Sequence, residues 1–246
     1  MLDERQLQEF EEKGHLTVPE VFSEMEIGMV QTDLEQWSEE FRQALTEKEK
    51  GWYLEDDSGE DAPLRKLDSP VFHREAFRKL ATKAALVEMV EQLIGKRVTI
   101  VFSQVFLKPP EKGGPKPIHQ DNHYFGPNDT SALVTAWIAL YDATPENGCL
   151  FYGEGSHKEP ILDHVAPPEE PFNLQVPAEV SSKYSMTPAP VPRGGISFHH
   201  GNTLHQSGRN QSSTPRRGFA CHYLRSDCSL TSPALPYDSS TFTPLN

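Results

Sequence analysis

The spacing of apolar residues in the first 97 positions is typical of amphipathic helices. Leu7 and Phe10 lie three residues apart ahead of Gly14, which predicts a short helix over residues 3–13 with a glycine at its end. Ser23 and Glu26 have the spacing of a capping box, so a longer helix is expected over residues 24–48, ending before Gly51. Its predicted apolar stripe consists of Met25, Met29, Leu34, Trp37 and Phe41. Residues 74–93 repeat the helical spacing up to Gly95.

The pattern changes from Val98 onward to short β-rich runs separated by Gly, Pro and Asn clusters. The predicted strands cover residues 98–107, 133–141, 150–152, 195–198 and 219–224. Helices followed by short strands indicate an α+β protein, with the amino-terminal helices (residues 1–97) packed on one sheet of a cupin-like jelly roll, or double-stranded β-helix. We expect residues 1–246 to form a single domain, with the jelly-roll core over 98–225 and an irregular tail over 226–246.

Two segments interrupt this organisation. Residues 158–193 contain many prolines, which disfavour continuous secondary structure, and residues 53–62 are acidic and loop-like. A connection as long as 158–193 inside a compact domain is usually functional or disordered. One interpretation is a loop that covers the mouth of an active site, and the other is a flexible insertion without a role.

Charge and cysteine content limit the possible partners and compartments. The 23 basic and 36 acidic side chains give a formal charge of −13, which opposes binding to nucleic acids and acidic membranes. Three cysteines without metal-knuckle spacing favour a reducing compartment. The amino terminus lacks the basic and apolar regions of a secretory signal, so a cytoplasmic protein acting on a small molecule is expected. Nothing in the sequence indicates the oligomeric state.

Candidate metal ligands lie in the segment from Pro117 to Phe125. His119 and Asp121 are two residues apart, so on an extended strand both side chains project to one face and could bind one metal. His205 is a candidate third ligand. Two histidines and one carboxylate on one face of a metal leave open positions, as in non-haem Fe(II) oxygenases. Continued alternation would place His123 on the same face, where His123 or Tyr124 could contact substrate or support the ligands.

Arg216 follows His205 by eleven positions and begins another β-rich run. A guanidinium holds a carboxylate through two parallel hydrogen bonds and keeps its charge when buried. That property suits the distal carboxylate of 2-oxoglutarate. The alternative is that Arg216 and Arg217 are solvated cations on a surface strand.

The order of these blocks resembles the phytanoyl-CoA dioxygenase family of Fe(II)- and 2-oxoglutarate-dependent oxygenases, over most of the chain. The strongest blocks are residues 108–110 (Lys-Pro-Pro), 119–125, 147–150, 155–157 and 205–210. The resemblance implies that His119, Asp121 and His205 bind iron and that Arg216 binds the co-substrate, with Arg217 as the alternative if the register slips by one. Because Asp121 is present, hydroxylation is favoured over the halogenation found in a family branch that lacks this carboxylate.

The same resemblance suggests further contacts with the co-substrate. Ser207 would donate a hydrogen bond to the distal carboxylate, and Trp137 would line the pocket unless it is simply a core aromatic residue. Gln104 and Lys66 are weaker candidates for the same pocket. His199, His200 and His222 are more readily interpreted as packing or surface histidines.

The sequence therefore predicts a dioxygenase that uses Fe(II), 2-oxoglutarate and O2, hydroxylates a small organic or natural-product-like substrate, and releases succinate and CO2. The alternatives are a desaturating or demethylating member of the family, an acyl-CoA substrate, a non-catalytic module that binds metal or carboxylates, and a zinc hydrolase. The negative net charge and the lack of a basic cluster beside the motif argue against the phosphates of an acyl-CoA.

Overall fold

The computed structural model describes residues 1–55, 62–167 and 173–245. The helices are α1 Glu4–Lys13, α2 Glu24–Ala44, α3 Glu47–Tyr53, α4 Pro70–His73, α5 Glu75–Ala81, α6 Ala84–Ile94, α7 Asp121–Phe125 and α8 Ala178–Ser181. The strands are β1 His15–Val18, β2 Lys66–Asp68, β3 Val98–Lys108, β4 Lys116–His119, β5 Leu133–Ala139, β6 Leu150–Gly153, β7 Met186–Ala189, β8 Ile196–His200, β9 His205–Ser207, β10 Arg216–Arg225 and β11 Thr243–Leu245.

Two antiparallel sheets form the jelly roll. The large sheet has the order β1-β8-β5-β10-β3-β11, with β2 also paired to β3, and the small sheet has the order β4-β9-β6-β7. Strand β10 pairs with β3 on one side and with β5 on the other. The amino-terminal helices pack on one face of the large sheet through a shared apolar core that includes Ile27 and Leu34 of α2. Phe77 of α5, for example, packs on Phe219 of β10 with 5.1 Å between ring centroids. The predicted α+β jelly roll is confirmed.

Helix α1 begins and ends where the sequence predicts. The Asp3 side chain accepts a hydrogen bond from the Gln6 amide, and the Gln6 side chain accepts one from the Asp3 amide. Gly14 then adopts a left-handed conformation with φ of 80° and ends the helix. A side chain at this position would collide with the His157 ring. The same reciprocal capping between Ser23 and Glu26 begins α2.

The predicted helix over residues 24–48 is in fact two helices. Helix α2 ends at Ala44, and a second capping box formed by Thr46 and Glu49 begins α3, so Gly51 lies inside a helix rather than after one. The buried stripe also differs, because Met25 and Met29 are 75% and 54% exposed. Its buried members are Ile27, Val30, Leu34 and Trp37. Residues 74–93 likewise divide at Thr82 and Lys83 into α5 and α6.

Several short strands lack a sequence pattern of their own. Strands β1 and β2 lie within the mainly helical first 97 residues, yet they extend the large sheet by pairing with β8 and β3. The tail predicted to be irregular contains β11, which pairs with the start of β3. Three or four residues are too few to give a recognisable alternation, so these strands depend on the ladder that receives them.

The two unusual segments are only partly described. The proline-rich segment contains α8 and β7, and an isolated bridge joins Val165 to Gln175. Residues 168–172 of this segment and residues 56–61 of the acidic segment lie outside the described residues.

The Tyr223 hydroxyl gives a test of how the helices are joined to the large sheet. Tyr223 on β10 is fully buried, and its hydroxyl donates a 2.7 Å hydrogen bond to the Ala81 carbonyl at the end of α5. We expect Tyr223→Phe to lower the free energy of unfolding by about 1–3 kcal/mol, because a buried carbonyl loses its partner. Urea denaturation would measure the change. Tyr141→Phe, at a partly buried tyrosine packed against the same core, is the control and should change it much less.

Candidate metal centre

His119, Asp121 and His205 meet between the two sheets. His119 is the last residue of β4 and pairs directly with His205, the first residue of β9, while Asp121 begins α7. All three are buried, and one ligand atom from each lies within 4.8 Å of the other two. The Oδ1 atom of Asp121 is 3.8 Å from His119 Nε2 and 3.7 Å from His205 Nε2. The three residues that the sequence suggested as metal ligands therefore lie close together in the structure.

The protonation of the three side chains fits a bound cation. His119 Nδ1 lies 2.7 Å from the Pro117 carbonyl and His205 Nδ1 lies 3.0 Å from the Thr203 carbonyl. Because a carbonyl oxygen can only accept, each Nδ1 carries the proton and each Nε2 presents a lone pair towards Asp121. Burial lowers the pKa of His119 well below its usual value and that of His205 to about 3. Two neutral imidazoles thus face a carboxylate with no proton between them, a donor set suited to a divalent metal.

Asp121 is oriented by hydrogen bonds to its other oxygen. Its Oδ2 accepts from Thr135 Oγ1 at 2.5 Å and from His199 Nε2 at 3.0 Å, which leaves Oδ1 on the side of the ligand histidines. Burial alone would raise the pKa of the Asp121 carboxyl, but neighbouring His205 and the hydrogen bond from His199 hold it well below its usual range. The imidazole of His222 lies nearby, with Nδ1 3.5 Å from Oδ2.

These supporting residues were not identified from the sequence, which favoured packing or surface roles for His199 and His222. Thr135 pairs with His199 on one side and His222 on the other, so the three occupy adjacent positions across β8, β5 and β10. His199 is linked further to Tyr152, whose hydroxyl lies 3.0 Å from His199 Nδ1. Only the strand register could have indicated this row.

The position of His123 differs from the predicted alternation. Asp121 begins a helix, so the side chains after it no longer alternate across a strand. His123 instead stacks on His164, with 3.9 Å between ring centroids. Tyr124 does line the cavity, and its hydroxyl accepts a hydrogen bond from Lys116 Nζ and donates one to the Leu174 carbonyl.

Gln120, between the two ligands, anchors the start of the proline-rich segment. It is fully buried, and its side-chain amide donates to the Asn202 and Pro160 carbonyls and accepts from the Leu162 amide. Its backbone amide donates to His164 Nε2. Residues 160–164 are thus attached to the side chain and backbone of Gln120, between His119 and Asp121.

The candidate ligands and Arg216 line one cavity of about 1140 Å³. The Arg216 side chain is 1% exposed, and its guanidinium carbon lies 4.5 Å from the centre of the Trp137 ring. Burial lowers the pKa of Arg216 to about 10, so it remains a cation at neutral pH. Its buried Nε has no hydrogen-bond partner among the described residues. A buried, incompletely paired guanidinium is suited to an anionic ligand.

The neighbours of Arg216 explain why it, and not Arg217, faces the cavity. Adjacent strand residues point to opposite faces, and Arg217 lies on the helical side, 3.5 Å from Glu35 of α2. Gly218 returns to the face of Arg216, where a Cβ atom would lie 1.8 Å from the Trp137 ring. The glycine therefore leaves room for the Trp137 ring to stack beneath Arg216.

The other candidate co-substrate residues also line the cavity. Ser207 is buried on β9, and the next carbonyl, that of Gly208, accepts a 2.7 Å hydrogen bond from Lys108 Nζ. Asp68 Oδ1 accepts a 2.7 Å hydrogen bond from the Gln104 amide, and its Oδ2 lies 3.2 Å from Lys66 Nζ. Lys66 and Gln104 line the cavity, and the Asp68 carboxylate holds both side chains in place.

The charge of the cavity differs from that of the whole chain. Its described lining contains seven cationic side chains and four carboxylates. The cations are Arg65, Lys66, Lys108, Lys112, Lys116, Arg209 and Arg216. The expectation that no basic cluster accompanies the motif is therefore wrong. Cations scattered through the segments before His119 and after His205 line one cavity, and Arg65 and Lys66 join them from around the start of β2.

A jelly roll with two histidines and a carboxylate between its sheets is the architecture of the non-haem iron oxygenases. The family model described as Phytanoyl-CoA dioxygenase (PhyH) matches residues 10–218, and the chain belongs to this family of Fe(II)- and 2-oxoglutarate-dependent oxygenases. The chain is 28% identical over 236 residues to bovine "Phytanoyl-CoA dioxygenase, peroxisomal", covering 89% of this chain and 67% of the relative. It is 26% identical to a "Probable alpha-ketoglutarate-dependent hypophosphite dioxygenase" of Stutzerimonas stutzeri, covering 90% and 78%.

Solved structures share the fold at lower identity. The alpha-ketoglutarate-dependent carbocyclase SnoK from nogalamycin biosynthesis superimposes with a TM-score of 0.75 at 23% identity, covering 100% of this chain and 97% of SnoK. The epimerase SnoN, solved with Fe3+, alpha-ketoglutarate and nogalamycin RO, gives a TM-score of 0.73 at 24% identity, covering 94% and 87%.

The chain spans 49% of the rat phytanoyl-CoA dioxygenase and 67% of the bovine one. Among the described residues, no helix combines the length and apolar character needed to cross a membrane.

Proposed function

We propose that the chain is a dioxygenase that uses Fe(II), 2-oxoglutarate and O2 to hydroxylate a small organic substrate, with release of succinate and CO2. The observation that carries the proposal is the presence of two complementary groups in one cavity. These groups are the buried acceptor set of His119, Asp121 and His205 and the buried cation Arg216. Membership of the PhyH family supports the same cofactors.

In this proposal His119 Nε2, Asp121 Oδ1 and His205 Nε2 hold the iron. The carbonyls of Pro117 and Thr203 keep both imidazoles in the tautomer that binds metal, and Thr135 and His199 keep Asp121 in place. When bound, the iron supplies the activation of O2 that is coupled to oxidative decarboxylation of 2-oxoglutarate. The protein contributes orientation of the reactants and exclusion of water.

Arg216 and Ser207 bind the distal carboxylate of 2-oxoglutarate in this proposal. A guanidinium forms two parallel hydrogen bonds with a carboxylate, and the Trp137 ring beneath it restricts its movement. Lys66 and Gln104 remain proposed further contacts on the same wall. Because Arg217 faces α2, its substitution serves as an internal control for Arg216.

Product analysis tests the reaction. Purified protein incubated with Fe(II), ascorbate and 2-oxoglutarate should form succinate and CO2, with greater turnover when a substrate is added. With 18O2, one labelled oxygen should appear in succinate and one in a hydroxylated product. A product with a new double bond and no label would show that the reaction is desaturation and not hydroxylation. Succinate formation that persists without iron would contradict the proposed function.

Metal binding can be tested without a substrate. We expect Mn(II) at about one hundred times its Kd to stabilise the protein by about 2.7 kcal/mol, or about 5–10 °C in Tm. Calorimetry with and without EDTA would measure the shift. His119→Ala should abolish the shift because it removes a ligand, whereas His73→Ala, at an exposed histidine of α4, should retain it. An equal shift in both variants would place the metal elsewhere.

The cationic lining of the cavity favours an anionic substrate, including an acyl-CoA, as a second candidate. 2-Oxoglutarate is itself a dianion, so the cations Arg209 and Lys112 could serve either molecule. A non-catalytic module is less well supported, because the buried Arg216 would then serve no co-substrate.

A further inference from the structure

The carboxyl-terminal tail forms one wall of the cavity. Leu235, Tyr237 and Thr241 line the same space as the candidate iron ligands. The tail is fixed to the body of the protein, because β11 pairs with β3 and the Ala234 amide donates to the Tyr124 carbonyl. The family model ends at residue 218, so this wall is built by a part of the chain that the family pattern does not describe.

Tyr237 is the best-positioned residue of the tail. Its ring packs against Phe125 and Phe102, with centroid distances of 4.9 and 5.2 Å. We call these three rings the aromatic wall. Phe125 in turn packs on His222, with 4.6 Å between centroids, and His222 lies next to Asp121. The aromatic wall therefore lies close to the candidate iron ligands, and its three rings pack on one another.

The aromatic wall lies away from the co-substrate anchor. Arg216 and His222 are six residues apart on β10, so their Cα atoms lie about 20 Å apart along the strand. Arg216 stacks on Trp137 at one end, whereas the aromatic wall packs on His222 at the other. If 2-oxoglutarate extends from the metal towards Arg216, the space beside Tyr237 remains for the substrate.

The Tyr237 hydroxyl adds a polar group to this apolar surface. Within residues 1–55, 62–167 and 173–245, no group forms a hydrogen bond with it. A hydroxyl that lines a cavity without a protein partner is available to a ligand, and a few such polar groups usually set specificity in apolar pockets.

We propose that Tyr237 is a specificity-determining residue that contacts the primary substrate. The substrate class is a molecule with an apolar, ring-sized body that packs on the aromatic wall and an oxygen that hydrogen-bonds to the Tyr237 hydroxyl. This inference rests on the proposed function, because the iron and 2-oxoglutarate define which part of the cavity is left for the substrate.

Binding of two simple ring compounds tests the proposal. Cyclohexanol has an apolar ring with one hydroxyl, and myo-inositol has a similar ring that is polar all round. With Mn(II) and 2-oxoglutarate bound, cyclohexanol should bind the protein with a Kd of about 1 mM, and myo-inositol at least about ten times more weakly. Saturation-transfer NMR and calorimetry would measure both, and cyclohexanol should not displace 2-oxoglutarate.

Substitutions assign the binding to Tyr237. We expect Tyr237→Phe to weaken cyclohexanol binding about fivefold by removing one hydrogen bond, and Tyr237→Ala to weaken it further by removing the ring. Tyr184→Phe, at a tyrosine that does not line the cavity, is the control. Affinities for Mn(II) and 2-oxoglutarate should stay unchanged in all three variants.

Three results would overturn the inference. They are equal binding by wild type and Tyr237→Phe, competition between cyclohexanol and 2-oxoglutarate, and no cyclohexanol binding at several times the expected Kd. If Mn(II) and 2-oxoglutarate themselves fail to bind, the proposed function fails instead, and this outcome is measured separately.

Discussion

Replacing Asp121 by alanine is expected to abolish the iron-dependent conversion of 2-oxoglutarate to succinate. The carboxylate supplies the only negative charge among the three candidate ligands, and its loss leaves two neutral imidazoles. Loss of a residue that merely orients a ligand typically costs about 10- to 100-fold in metal affinity or activity, so loss of the ligand should cost more. Succinate would be measured by mass spectrometry at saturating Fe(II).

Two further variants set the scale for Asp121→Ala. Thr135→Val preserves the shape of a side chain that donates to Asp121 Oδ2 but removes its hydroxyl, and it should lower metal affinity about 10- to 100-fold. Glu88→Ala, at an exposed carboxylate of α6, should have no effect. If Asp121→Ala retained full activity while Thr135→Val lost it, the carboxylate would not be the ligand.

The candidate ligands could be found from the sequence, but the residues that orient them could not. The close spacing of His119 and Asp121 is visible along the chain, and His205 was a candidate third ligand that the family resemblance then supported. In contrast, His199, Thr135 and His222 become neighbours only through the pairing of β8, β5 and β10. Strand register is decided by packing across the whole sheet. The local pattern of apolar and polar residues does not contain this information.

The errors in the predicted fold have a similar physical origin. Hydrophobic periodicity identified the helical regions, but the capping residues Thr46 and Glu49 divide one predicted helix into two. The tail was expected to be irregular because its residues show no strand pattern, yet β3 provides an edge on which β11 pairs. Short elements are stabilised by their partners more than by their own propensities.

The net charge of the chain was also a poor guide to the charge of the cavity lining. The formal charge of −13 is dominated by acidic side chains outside the cavity, whereas the described cavity lining has more cations than carboxylates. Electrostatic attraction of a substrate depends on the charges that line its path, because more distant surface charges are screened by salt. The net charge of the chain therefore does not weigh against a phosphorylated substrate.

Arg216→Met is expected to weaken 2-oxoglutarate binding while leaving the protein without ligand at least as stable as the wild type. Truncating one partner of a buried charge pair typically costs about 2–5 kcal/mol, which corresponds to about 30-fold or more in Kd. Without ligand, however, Arg216 is a buried cation whose Nε lacks a partner among the described residues. Replacing buried charges by apolar side chains of similar size is often neutral or stabilising.

Two measurements separate these effects. Calorimetric titration of the Mn(II)-loaded protein would give the Kd for 2-oxoglutarate, and urea denaturation would give the free energy of unfolding without ligand. Arg217→Met is the matched control, because it removes the adjacent cation on the opposite face of β10 and should leave the Kd unchanged. A purely structural arginine would give the reverse, a destabilised protein that binds 2-oxoglutarate normally once folded. Reduced affinity without reduced stability would therefore indicate that Arg216 is retained to bind the co-substrate.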